Sequence, residues 1–158
     1  MVTVVKEVMV KNVIKVKETE SVKDVLQKMS KYRVGGLPIV NERNELKGYI
    51  SDGDIMRYLG KYKPIFIDLF YYKDVIYDTS DEKEKITCLL SKDIKELSQR
   101  KVISVNENAE LGEVARILGD KRVKKVPVLR GNTLVGIISR GDLIRGLAEW
   151  IDENIIEY

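Results

Sequence analysis

The sequence predicts a mixed α/β fold, of the α+β kind, built from two copies of a strand-helix-strand-strand-helix unit. A block in the first half recurs in the second at a near-constant offset, and short β-branched runs alternate with apolar residues at helical spacing.

Val13-Ile14-Lys15-Val16 matches Val102-Ile103-Ser104-Val105, and Arg33-Val34 through Leu37-Pro38-Ile39-Val40 matches Arg122-Val123 through Val126-Pro127-Val128-Leu129, at an offset of 89. Past a one-residue loop deletion the offset becomes 88, and Gly48-Tyr49-Ile50-Ser51-Asp52-Gly53-Asp54 aligns with Gly136-Ile137-Ile138-Ser139-Arg140-Gly141-Asp142. Val13–Val16, Leu37–Val40 and Tyr49–Ile50 read as strands, with Asn41–Asn44 as the turn between the last two. Val22, Val25, Leu26 and Met29, and in the second copy Leu111, Val114, Ala115 and Leu118, have helical spacing, and Ser21 with Asp24 forms an N-cap signature. Pro38 and Pro127 each remove a ladder donor, which predicts edge strands or strands that begin there. One repeat has too little apolar surface to stand alone, so the two are expected to pack face to face around a shared core.

The organisation that follows is a first repeat over residues 1–60, an insert over 61–92, and a second repeat with a C-terminal helix over 93–158, together forming one integrated module. In the insert, Phe66, Leu69, Phe70 and Tyr72 read as a helix packed on the repeats, with a lid or partner surface as the alternative. Leu143, Leu147, Trp150 and Ile151 form a helical apolar stripe suited to a homodimer contact or to burial against the chain's own body.

Composition narrows the function. Lys and Arg number 28 against 25 Asp and Glu, interspersed in sign and without the interleaved stacking aromatics of a single-strand platform, so nothing calls for nucleic acid. No apolar run approaches the ~20 residues of a bilayer span and the first residues lack a secretory pattern, so a cytoplasmic protein without membrane contact is expected. There is no histidine and a single cysteine, Cys88, which is expected to be a buried small hydrophobe. Nucleophile-base pairs, metal-ligand clusters and phosphate-loop motifs are missing from the sequence, so neither catalytic residues nor a metal site are assigned.

In the twice-occurring motif, Gly permits close approach to the backbone, Ser starts a helix whose free amides favour anions, and Asp can accept from two ribose hydroxyls. The pairs Ser51/Asp54 and Ser139/Asp142 are equally S-x-x-D helix-start signatures that need no ligand.

With its flanking apolar-Pro-apolar strands, the repeated motif resembles the cystathionine-β-synthase (CBS) domain family, arranged as the tandem pair called a Bateman module. The resemblance implies β-α-β-β-α repeats related by an approximate twofold axis, with adenine nucleotide sites between them. Carried over by position, those sites are crossed. The first would combine Ile14, Val34, Gly35 and Gly36 with Ile138, Ser139 and Asp142. The second would combine Ile103, Val123, Lys124 and Lys125 with Ile50, Ser51 and Asp54. The apolar members also read as core. Arg33 and Arg122 hold positions where the family's basic residues approach phosphate, and both also read as surface ion-pair residues. Lys124-Lys125, opposite Gly35-Gly36, reads either as extra phosphate neutralisation or as occlusion of that site.

The resemblance further implies a stand-alone regulatory or sensing module rather than an enzyme. It would bind AMP, ADP, ATP or a related adenosyl ligand, require no cofactor, form a homodimer and control a separate protein. The alternative is a structural or protein-interaction module with vestigial sites.

Overall fold

In the computed structural model, which describes residues 3–61, 64–69, 72–77, 82–120 and 122–155, the chain enters through one helical turn, α1 (Val5–Val8). The first repeat follows as β1 (Val16–Lys17), α2 (Val22–Tyr32), β2 (Gly36–Val40), β3 (Leu46–Ser51) and α3 (Asp52–Leu59). The insert holds β4 (Pro64–Leu69), β5 (Tyr72–Tyr77) and α4 (Glu82–Leu90). A second short turn, α5 (Ile94–Leu97), precedes β6 (Val105–Asn106), α6 (Leu111–Leu118), β7 (Lys125–Arg130), β8 (Thr133–Ser139) and α7 (Arg140–Asn154).

Local signals explain the helix limits. Ser21 Oγ accepts the Asp24 N–H at 3.2 Å, and Asp24 Oδ2 accepts the Ser21 N–H at 2.8 Å, so α2 starts on a reciprocal capping box. It ends where Arg33 turns left-handed and the Val34 N–H donates to the Met29 carbonyl at 3.1 Å. That geometry satisfies an orphan carbonyl and carries Val34 back onto the apolar face.

Each repeat forms a three-stranded sheet, ordered β1-β2-β3 and β6-β7-β8, with the first pair parallel and the second antiparallel. The proline strands β2 and β7 are therefore central, not at an edge. The Tyr49 N–H and C=O are both bonded to Gln99, at 3.0 and 2.9 Å, so the facing pair Pro38↔Tyr49 exchanges no bonds and the proline nitrogen faces the β1 side. There β1 meets β2 only at Ile39 and Val40, and no donor is missed. Pro127↔Ile137 repeats the arrangement, with Val10 in the role of Gln99.

The repeats have two cores rather than one shared core, and they exchange arms. Val5, fully buried, packs with Val105, Val114, Val126, Val128 and Ile138 of the second repeat. Ile94, 89 positions later, packs with Val16, Val25, Leu37 and Ile50 of the first, joined by Leu89. The repeats also meet through an antiparallel bridge between Glu45 and Thr133, flanked by Leu134 N–H to Asn44 O at 2.9 Å and Leu46 N–H to Asn132 O at 3.1 Å. Glu45 and Thr133 are equivalent positions, so the pseudo-twofold axis passes between them.

The insert departs from expectation. Residues 64–69 and 72–77 form an antiparallel hairpin from Pro64↔Tyr77 to Leu69↔Tyr72, not a helix. Ile65-Phe66-Ile67 facing Val75-Ile76 is the β-branched and aromatic composition that favours paired strands. Phe70 lies outside the described residues. Cys88, on α4, is exposed rather than buried, because Leu89 takes the inward position there. Among the described residues no helix is long and apolar enough to cross a membrane.

Candidate functional site

The register Gly36↔Ser51 sets the start of β2 beside the end of β3, where α3 begins. Ser51 caps that helix: its Oγ accepts the Asp54 N–H at 3.2 Å and donates to Asp54 Oδ2 at 3.0 Å, and the same oxygen accepts the Ser51 N–H at 2.9 Å. Asp54 is 9% exposed, and its other oxygen, Oδ1, accepts from the Arg57 guanidinium. A carboxylate offers about four acceptor positions. Three are occupied, so Asp54 can take both hydroxyls of a ribose only if Arg57 swings aside. Ser139, Asp142 and Arg145 repeat the whole arrangement at the start of α7. The helix-start reading of both motifs is thus realised in the structure.

Above Ser51 and Asp54 opens a cleft of about 470 Å³. Its opposite wall comes from the second repeat and includes Ile103, Val123, Lys124 and Lys125. This is the crossed combination expected for the second site, with one exception: Ile50 is fully buried in the first core. Arg122 also lines the cleft, and its Nη2 pairs with Asp120 Oδ2 at 3.2 Å. The hydrogen bond from Arg122 holds the Asp120 carboxyl below the usual carboxylate range.

Gly35 and Gly36, expected in the first site, line this cleft beside Asp52 and Tyr49. Their register against Ser51 places them there. A Cβ on Gly36 would stand 2.3 Å from Tyr49 Oη, so glycine is what lets the tyrosine ring lie across β2. Burial, reinforced by the charges of Asp52 and Asp54, pushes the Tyr49 phenol up to about 12.

The remaining residues expected in the first site do not line this cleft. Ile14 and Val34 pack half-buried against the first core, and Ile138 is fully buried in the second. Ser139 and Asp142 cap α7, and Arg33 is the exposed left-handed residue that ends α2. Where the first copy has Asp52, Arg140 bonds the carbonyls of Leu118 and Asp120 at 2.6 and 2.9 Å.

Tyr49, Asp52, Arg57, Gln99 and Lys101 line the cleft without having been anticipated. Arg57 was legible, since Asp-x-x-Arg occurs in both copies as Asp54 to Arg57 and Asp142 to Arg145. Gln99 and Lys101 arrive on an exchanged arm, which no local signal announces.

The CBS domain family model matches residues 5–61 and 94–149, and the chain belongs to that family as a tandem pair of CBS domains. An uncharacterised Methanocaldococcus jannaschii protein, MJ1225, is 30% identical over 147 residues, which are 92% of this chain and 44% of that protein. The chain therefore spans less than half the length of this relative. Among solved structures, Arabidopsis thaliana CBSX2 in complex with AMP is similar at a TM-score of 0.70 and 22% identity, over 93% of this chain and 97% of that one. The CBS domain pair of protein MJ0100, in complex with 5′-methylthioadenosine and S-adenosyl-L-methionine, gives 0.69 at 24% identity, over 95% and 99%. Both likenesses are of fold.

Proposed function

We propose that this CBS pair is a cytoplasmic regulatory module that binds an adenine nucleotide or related adenosyl ligand in the cleft between its repeats and signals occupancy to a separate protein. The observation that carries the reading is the cleft itself, where the Ser51/Asp54 helix start of one repeat faces Ile103, Val123, Lys124 and Lys125 of the other. A half-exposed apolar residue such as Ile103, at 54%, suits the face of a base, and the capped helix start with its carboxylate suits a ribose. AMP, 5′-methylthioadenosine and S-adenosyl-L-methionine on similarly folded CBS pairs support the same ligand class. The exposed, unpaired Cys88 thiol fits a reducing compartment.

Binding without turnover is part of the reading, and it is supported by the commitment of both motif carboxylates to helix caps and arginine pairs. So is a homodimer, supported by Met56 on α3 and its equivalent Ile144 on α7, which are 60% and 65% exposed, with Ile151 at 47% alongside. The test is a thermal-shift and calorimetric series with AMP, ADP, ATP and S-adenosylmethionine, followed by chromatography of the ligand. A binder at ~100 times its dissociation constant should add about 2.7 kcal/mol of stability and be recovered unchanged. Asp54→Ala should abolish the effect. Stability indifferent to every adenosyl compound would refute the proposal, and light scattering decides the dimer.

A further inference from the structure

The cleft is one-sided in charge. Arg57, Lys101, Arg122, Lys124 and Lys125 line it, against Asp52 and Asp54. Both arginines are already paired, with Asp54 and Asp120. Among the described residues none of the three lysines has a carboxylate within ion-pair distance.

The fold does not require this charge. At the positions equivalent to Lys101, Lys124 and Lys125 the first repeat carries Asn12, Gly35 and Gly36, all neutral, and pairs its three strands in the same order and sense. Three like charges around a small cleft with apolar wall residues repel one another, and that repulsion is relieved when an anion enters. The lysines come from two separate segments, Lys101 from the exchanged arm and Lys124-Lys125 from the start of β7, so they can engage more than one anionic group. Flexible ammonium groups with three donors each suit that task.

We infer that this cleft selects a nucleotide carrying two or more phosphates over a monophosphate, and disfavours an adenosyl ligand with a cationic sulfonium. The inference rests on the reading of the cleft as an adenosyl site and adds the charge of the ligand to it.

The test is calorimetry on the full chain with ATP, ADP, AMP, S-adenosylmethionine and inorganic tripolyphosphate, without added divalent cation, at low and at physiological ionic strength. Affinity should rise by about tenfold or more from AMP to ATP. The margin should shrink at the higher salt, where exposed charges are screened beyond ~8 Å. The triple variant Lys101→Gln/Lys124→Gln/Lys125→Gln should lose the preference for ATP, the ratio of ATP to AMP affinity falling toward one. AMP or S-adenosylmethionine binding as tightly as ATP would overturn the inference, as would a triple variant with an unchanged preference. The salt series on the wild type decides the matter even if that variant folds poorly. Failure of the underlying reading looks different: tripolyphosphate binding as tightly as ATP would leave charge selection standing and remove the adenosyl site, and no binding of any of these compounds would remove both.

Discussion

Arg33 ends α2 at φ 51° and ψ 46°, a left-handed conformation that costs an L-residue with a side chain roughly 1 kcal/mol and costs glycine almost nothing. Arg33→Gly should therefore raise stability by up to ~1 kcal/mol, or about 2–4 °C in Tm for a chain of this size. Thermal melts of the wild type and Arg33→Gly measure the gain, and an unchanged or lowered Tm would mean that the Arg33 side chain offsets the backbone cost. Tyr49 sets a pH dependence of definite sign. Its phenol is shifted from 10 to about 12, so the fold favours the neutral form. The associated stability is complete below pH 10 and is lost as pH rises through about 12. Against Tyr49→Phe, which has no ionisable group, the wild type should lose stability selectively in that window. Denaturation midpoints that run parallel across it would mean that the phenol is not desolvated.

At the scale of elements, the exchanged arms turn two similar halves into one interlocked molecule. Ile94 is buried in the first core although it precedes the second repeat, and Val5 is buried in the second core although it precedes the first. Ile94→Ala should cost about 2–5 kcal/mol. Amide exchange should then quicken in β2 and β3, the sheet it covers, more than in β7 and β8, and Val5→Ala should show the reverse. If each substitution loosened the repeat that follows it in sequence, the exchange would be wrong. These arms also mark what could be read in advance. The caps at Ser21, Ser51 and Ser139 are local hydrogen-bond patterns, and β2 and β3 carry a repeated apolar signature, so all were legible. The turns α1 and α5 have four residues each, too few for a periodicity, and their burial depends on residues far away in sequence, such as Val105 for Val5 and Val16 for Ile94. In the hairpin, Phe66, Leu69 and Phe70 imitate helical spacing while Ile65, Phe66 and Ile67 favour strand, and a short apolar run does not choose between the two. The proline strands depart for another reason: a proline is excluded from a central strand only where full neighbours pair on both sides, whereas β1 and β6 are two residues long.

For the whole molecule, the bridge Glu45↔Thr133 lies on the pseudo-twofold axis, and each arm pairs with the repeat whose core it enters, Val10 with Ile137 and Gln99 with Tyr49. The candidate cleft inherits this crossing. Ser51 and Asp54 belong to one repeat, Lys124 and Lys125 to the other, and Gln99 and Lys101 to the arm that joins them. The motif residues were legible because they recur, whereas Tyr49 over Gly36 depends on a cross-strand contact that only the folded register supplies. The same crossing bears on which stretch of chain folds by itself. Residues 1–60 contain all three strands and both helices of the first repeat but lack Leu89, Ile94 and Leu97, which close its core, and they carry Val5, which belongs to the other core. Residues 11–100 contain every member of the first core and omit the arm that serves the second. The shorter fragment should therefore be largely unfolded or self-associated, with its sheet open where Gln99 would pair with Tyr49. The longer one should show a cooperative melt as a monomer or dimer, although it begins and ends inside what the sequence repeat marks as neighbouring units. Circular dichroism melts and light scattering on the two fragments decide the point. A cooperative monomer from residues 1–60, or an unfolded chain from residues 11–100, would mean that the exchanged arms do not hold the cores together.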